Sequence, residues 1–234
     1  MSEPRNHHYV SQVLIRKFLD NKGKAYFYDK NIKSIEKLKS TRNFFSETDL
    51  NSTIKNGKID HSSIEESLNK NFETKFNTHY NRVVGCVKAK NFDKLDNSDI
   101  ESLIKFGIIG APRHPIQRES SQETILNTIK EISKLATIEL KKEIDDFEKS
   151  VSGVKNKIPL DFKEVADKTL EIMGDCVFSI FEAGSNSFFF LPDCTSITRR
   201  DLIENTLCEP IFESSHEKIV CEDKNYLENF IKTI

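Results

Sequence analysis

Apolar residues recur every three or four positions through the middle of the chain, a spacing that predicts a helix-rich protein. The clearest stripe is Ile64, Leu68, Phe72, Phe76, Tyr80, Val83, Val84 and Val87, on a helix that begins near Ser62. Ser62 with Glu65, or Ser63 with Glu66, gives it a capping box. A third helix runs from Ser98, capped by Glu101, through Ile100, Leu103 and Ile104. It ends at residues 110–115, where Pro112 and Pro115 force the chain out of helix. Ser120 and Glu123 open a long helix whose stripe of Ile125, Ile129, Ile132, Ala136, Leu140, Ile144 and Phe147 extends to Gly153. Its near-3.6 period favours packing on a globular body over a coiled-coil arm, with a wet Lys/Glu-rich outer face. One more helix covers residues 162–173.

The two ends read differently. Residues 11–20 form a short helix with Val10, Leu14 and Phe18 on one stripe, His8 at or just before its start, and Gln12 one turn on. Residues 24–29 are short and aromatic, a strand, and 34–39 a weaker second one. Asn56-Gly57 is a strong turn signal. Beyond Gly174 the period is lost: 176–181 and 187–191 are continuous apolar runs that predict a buried hairpin, followed by a strand at 218–221 and a helix over 224–232. The expected fold is α+β and predominantly helical, with a small antiparallel sheet formed by an N-terminal strand and C-terminal hairpin strands. One domain is expected over 1–234, divided into a basic N-terminal part (1–58), a helical body (59–173) and a β-rich C-terminal part (174–234).

Charge adds an asymmetry. Residues 1–58 hold twelve Lys/Arg against six Asp/Glu, a balance of +6 within a chain whose net charge is −2. That balance admits nucleic acid or a small anionic ligand as a partner at the N-terminal region, although a solvated basic face is the commoner meaning. The five cysteines lack any C-x-x-C pair, which argues against a disulfide scaffold or a thiolate zinc site and for free thiols in a reducing compartment. His7-His8 and Arg16-Lys17 stand where a signal peptide needs an apolar core, and no apolar run reaches membrane-spanning length, so the expected location is the cytoplasm without membrane contact.

No Gly-rich phosphate loop, H-E-x-x-H, G-x-S-x-G or zinc-deaminase pattern is present. What remains is a dispersed polar set: His7, His8, Gln12, Glu65, Glu73, Arg113, His114 and Asp193. Each has a bland reading. Paired histidines near a terminus are usually exposed and idle. Glu65 serves as a cap carboxylate, Arg113 binds helix-terminal carbonyls as readily as a phosphate or carboxylate, and Asp193 starts a turn. Glu73 has no local role, and at eight positions from Glu65 it lies about 80° round a regular helix, so both can face one cleft.

Asn6-His7-His8-Tyr9-Val10-Ser11-Gln12, with Leu14-Ile15-Arg16-Lys17-Phe18, resembles the H-H-Y-V-P-Q…L-R-x-F opening of the bacterial domain-of-unknown-function family 4238. The stretch from Arg42 to Leu50 resembles its N-x-x-x-E-x-D-x-Y segment, Ile64-Glu65 with Glu73 its paired-glutamate helix, residues 109–113 its helix ending in arginine, and residues 188–195 its strand ending in S-D-N-P. Ser11 replaces the usual proline, and Cys194-Thr195 follows Asp193 in place of Asn-Pro, which puts the C-terminal part of a site in doubt. The resemblance implies no established reaction. It implies that the scattered residues converge, and such a set would suit a divalent metal (Mg2+ or Mn2+) or a phosphate. The leading expectation is a metal-assisted phosphodiester hydrolase, nuclease-like, in a bacterial or phage-defence setting. In it His8, Glu73 and Asp193 hold the cation, Glu65 positions water, Arg113 takes the phosphate and Gln12 orients His8. The alternatives are a non-catalytic binding or sensing module for a small anionic ligand or partner protein, and a scaffold in which the same residues form a structural network.

Overall fold

The computed structural model describes residues 5–174, 180, 191–192, 218–221 and 223–232. Helices dominate it, and three small antiparallel sheets complete an α+β fold. The largest sheet has four strands. Its inner strand β2 (Tyr26–Asp29) pairs on one side with β3 (Ser34–Lys37) and on the other with β8 (Lys218–Cys221), which in turn pairs with β7 (Leu191–Pro192). An N-terminal strand thus joins C-terminal ones, as the aromatic run and the 218–221 signal predict. The rest of the expected hairpin over 176–181 and 187–191 lies outside the described residues, apart from Ile180 and Leu191.

Two further pairs were not legible as strands. β1 (Asn6–His8) pairs with β4 (Ser46–Thr48), with His7 opposite Glu47, so His8 belongs to a strand and not to the edge of a helix. β5 (Thr53–Lys55) and β6 (Lys58–Asp60) form a hairpin around Asn56-Gly57, whose φ values of 53° and 71° are those of a two-residue turn with both central residues left-handed. Ser11 caps α1 (Gln12–Ile15), its hydroxyl accepting from the Val13 amide at 3.3 Å. The helix runs on as one tight turn over Arg16–Phe18.

α2 (Ser63–Leu68) starts where the apolar stripe says it should, but no capping box closes it. Asp60 does that work, its carboxylate accepting from the amides of Ser62 (2.9 Å) and Ser63 (3.0 Å). The chain then makes one π-helical turn, Asn69–Glu73, before α3 (Thr74–Ala89). The Thr74 hydroxyl donates to the Asn69 carbonyl at 2.8 Å and so helps to hold the widened turn. The turn has a packing consequence. Ile64, Leu68, Phe72 and Phe76 are spaced by four, a row that drifts about 40° per step on a regular helix. Taking up one residue in the π turn cancels part of that drift and keeps all four buried.

α4 (Asn97–Ile108) is capped by Asp96 with Asp99, two positions before the expected Ser98–Glu101 arrangement. Of the two prolines after it, Pro112 sits inside a short helix, and only Pro115 takes the chain out of helix, at His114. α5 (Gly110–Arg113) contains Pro112, His114 is extended, the conformation favoured before proline, and Pro115 opens α6 (Pro115–Ser133) at its first turn. The expected single helix from Ser120 to Gly153 is two. α6 starts five residues early, and the chain reverses at 134–137 into α7 (Ile138–Val151), where Thr137 caps the new helix. The stripe spans the break with no Gly or Pro, so periodicity alone runs through it. Along the arm so formed, Ile132, Leu135, Ile138 and Leu140 remain exposed, so the apolar spacing does not seat this part on the body. α8 (Phe162–Ile172), capped by Asp161, and α9 (Lys224–Ile231) stand as predicted.

Two buried clusters meet at the N-terminal motif. Ile64, Leu68, Phe72 and Phe76 pack against Phe106, Ile109, Phe162 and Ala166, with Val13 and Leu14 on their flank. Val10 and Ile15 join Ala25, Leu38, Phe45 and Val220 under the sheet. The apolar half of residues 9–15 is therefore a seam between both cores, and this fixes where its polar half points. Among the described residues no helix is long and apolar enough to cross a membrane.

Candidate functional site

The polar half of the seam faces a cleft of about 430 Å³ whose walls include His8, Gln12, Arg16, Glu65, Asn69 and Glu73. β1 supplies His8, α1 supplies Gln12 and Arg16, and the α2–π–α3 helix supplies the others. The π turn matters here as well. Taking up one residue brings Glu65 and Glu73 from about 80° apart to within about 20° round the axis, with Asn69 between them.

His8 is half-buried. Its Nε2 lies 3.1 Å from Gln12 Nε2 and 3.3 Å from the Thr41 carbonyl oxygen. Arg16 Nη2 donates to Gln12 Oε1 at 3.0 Å, which turns the amide nitrogen of Gln12 towards the imidazole. As a donor it calls for a lone pair on His8 Nε2, and so for a neutral ring with its proton on Nδ1. The Thr41 carbonyl calls for the opposite. Burial outweighs that carbonyl and the negative charge of Glu65 and holds the His8 pKa below the ordinary 6.5.

Behind the cleft sit two buried arginines. Arg113 donates through Nη1 to Glu73 Oε1 at 3.1 Å and through Nη2 to the His8 carbonyl at 2.9 Å, tying the two walls together. At 2% exposure it backs the cleft and does not line it. Arg118 donates to the Leu50 carbonyl at 2.9 Å and to Asn51 Oδ1 at 2.5 Å. Asn51 is the hub of this layer: its side-chain amide donates to Glu65, and its backbone N–H donates to His7 Nδ1 at 2.8 Å. Since Asn51 Oδ1 meets only a donor and its amide nitrogen only a carboxylate, the orientation of its side chain is unambiguous. His7 is 1% exposed. His114, also buried, meets Tyr9 edge-on at 5.4 Å between ring centroids.

Of the six residues given roles in the expected site, His8, Gln12, Glu65 and Glu73 line one cleft and Arg113 stands directly behind it. Asp193 lies outside the described residues. Among the described residues no three His, Cys, Asp or Glu side chains group as a metal set. Sequence reasoning passed over Asn51, Arg118, Asn69 and Arg16 in the site, and the buried role of His7. Arg118 was hidden because the inward row of α6 is Arg118, Gln122 and Leu126, at i, i+4 and i+8, and two of these three read as wet-face residues. Asn51 follows the segment from Arg42 to Leu50 with no period to mark it.

A second polar cluster has the residue types of a nucleophilic triad without its geometry. Ser52 Oγ lies 2.6 Å from His61 Nδ1, and Asp49 Oδ1 approaches the same nitrogen at 3.3 Å, so acid and hydroxyl compete for one atom instead of flanking the ring. Ser52 is buried and Asp49 is paired with Arg5, which fits a structural clamp on the β4–β5 turn.

A family profile described as a protein of unknown function (DUF4238) matches residues 6–190, most of the chain and nearly all of the elements above. No curated protein and no solved structure matches it.

Proposed function

This chain belongs to the DUF4238 family, and we propose that its cleft is the active site of a hydrolase acting on a phosphodiester with a divalent cation, Mg2+ or Mn2+. The observation that carries the reading is the π turn at Asn69–Glu73, which sets Glu65, Asn69 and Glu73 in one row facing His8 across the cleft. Such turns interrupt a regular hydrogen-bond ladder and recur at functional sites. His8 and Glu73, with Asp193, would hold the cation, which supplies Lewis-acid stabilisation of the phosphoryl oxygens when bound. Arg113 is a positioning residue in this scheme. It fixes Glu73 and the His8 backbone, and the phosphate-binding role falls to Arg16 at the rim. Gln12 meets the His8 lone pair that the cation would take and so orients the ring, and Glu65, held by Asn51, would orient the attacking water.

The test is cleavage of single-stranded DNA, RNA and an activated phosphodiester by the full chain with Mg2+ or Mn2+, beside His8→Ala and Glu73→Gln proteins shown to be folded by circular dichroism. Metal-dependent cleavage lost in both variants is expected. Activity should fall on acidification, with a midpoint below pH 6.5, because His8 can hold the cation only as the neutral imidazole. No cleavage by the wild-type protein, or cleavage untouched by both variants, overturns the reading. A second reading, a binding module without turnover, draws on one observation: Glu65 and Glu73 already accept hydrogen bonds from Asn51 and Arg113. Stabilisation by a ligand without product formation would select it.

A further inference from the structure

A separate cavity of about 320 Å³ lies on the other side of Arg118, between the start of α6 and the segment that follows α7. Its inner surface joins Arg118 and Gln122, both buried, to the apolar side chains of Leu50, Leu126 and Val154. Exposed charges of both signs, Glu119, Glu123 and Lys157 among them, stand at its mouth, where Lys155 is paired with Glu47.

Arg118 is anomalous there. It is 3% exposed, yet among the described residues no carboxylate lies within ion-pair distance of it. Its acceptors are neutral: the Leu50 carbonyl, Asn51 Oδ1 and, at 3.4 Å, the Pro112 carbonyl. The face of Phe162 lies 5.5 Å from the guanidinium carbon. Nη2 is buried and has no hydrogen-bond partner among the described residues. Burial, with Arg113 nearby, pushes the guanidinium pKa down to about 10, the direction expected of a cation short of counter-charge. Arg113, in the same layer, has Glu73. A buried cation without an anion is costly, and a buried N–H without an acceptor calls for one.

We propose that this cavity binds a small organic carboxylate, its head pairing with Arg118 and its apolar body lying against Leu50, Leu126 and Val154. The wall chemistry selects that class. A free phosphate would turn strongly hydrated oxygens towards three aliphatic side chains, whereas a carboxylate presents two acceptors to a guanidinium edge and leaves the rest of the ligand to apolar contact. The volume is at the lower end of small-molecule sites, which limits the ligand to a short chain or a single ring. Because Nη2 is buried, seating the head requires the atoms over it to move aside. The proposal does not depend on the hydrolase reading, since the cavity shares no wall residue with the cleft.

Isothermal titration and thermal unfolding of the full chain with hexanoate, hexanamide and inorganic phosphate test it. Saturable 1:1 binding and a raised Tm are expected with hexanoate alone. The neutral amide keeps the tail and loses the charge, so equal binding of hexanamide would overturn the role of Arg118. Equal binding of phosphate would overturn the role of the apolar wall. Leu126→Trp, which fills the cavity, should abolish binding, and Lys157→Glu, a charge reversal at the exposed mouth, should weaken it about tenfold by repelling the carboxylate. If Leu126→Trp fails to fold by circular dichroism, Lys157→Glu alone decides. Hexanoate affinity unchanged in that variant, or no hexanoate binding by the wild-type protein, sinks the proposal.

Discussion

Behind the cleft, Arg113 reaches 40 positions back to Glu73 and 105 back to His8, and Asn51 gathers His7, Glu65 and Arg118 into one buried layer. On the arm made by α6 and α7 the ion pairs are wetter: Lys134 with Glu131 and Lys149 with Asp146, each three residues apart, and Lys130 with Glu148 between the two helices. Both regions are rich in charge, but charge does different things in them. In the first, the two guanidinium groups are removed from water, so the partners they do have carry weight. In the second, water is always the alternative partner, and the pairs contribute little. A polar residue therefore carries structural information only when its surroundings deny it solvent.

The comparison predicts an ordered series of effects. Arg113→Met should be the most damaging change, costing about 3–5 kcal/mol in urea unfolding, because it leaves Glu73 and the His8 carbonyl without their buried donor. A loss below about 1 kcal/mol would mean that water reaches this layer and that the contrast with the arm is false. An intermediate effect belongs to Asp60. The Ser63 hydroxyl and the amides of Ser63 and Ser62 hold its carboxyl at about 2, below the ordinary 3.8, despite the opposing pull of burial. Its folded pKa is depressed, so its contribution is present above about pH 4 and disappears as the pH falls towards 2. Asp60→Ala should cost about 1 kcal/mol at pH 7, as for loss of a helix cap, and its stability curve should converge on that of the wild type in acid. A gap that persists at pH 2 would assign the effect to something other than the ionised cap. The smallest effect is expected on the arm, where Leu135 is 93% exposed. Leu135→Ser should leave stability within about 0.5 kcal/mol, and a larger loss would show that the side chain is covered in solution.

The same contrast explains what could be read beforehand. Elements whose identity rests on a repeated apolar face, such as α3 with Phe76, Val83 and Cys86 buried, or α8 with Phe162 and Ala166, were legible because burial imprints a period on the sequence. The Asn56-Gly57 turn was legible because few residues tolerate its dihedral angles. The reversal at 134–137 was not, since solvated turns of a helical pair impose no such demand and Ile132 to Leu140 kept helical spacing across it. The pairing of β1 with β4 had no signal either, because three-residue strands are too short to show alternation. For the cleft, the resemblance to the family drew His8, Gln12, Glu65, Glu73 and Arg113 together before any geometry did. Asn51 and Arg118 escaped because a buried polar residue looks the same in sequence as a wet one. Their burial is a property of the partners they meet.

The inner strand β2 takes up its hydrogen bonds on one side from β3, a few residues away, and on the other from β8, near the far end of the chain. A ribosome releasing this polypeptide would thus expose the aromatic run Tyr26-Phe27-Tyr28 with one edge open until residues 218–221 emerged. Closing so long a loop is slow compared with forming the helices between, and an open aromatic edge is a template for joining other nascent chains. Holding factors during synthesis, or growth at reduced temperature, should raise the yield of native protein, whereas a truncation ahead of residue 218 should accumulate as aggregates.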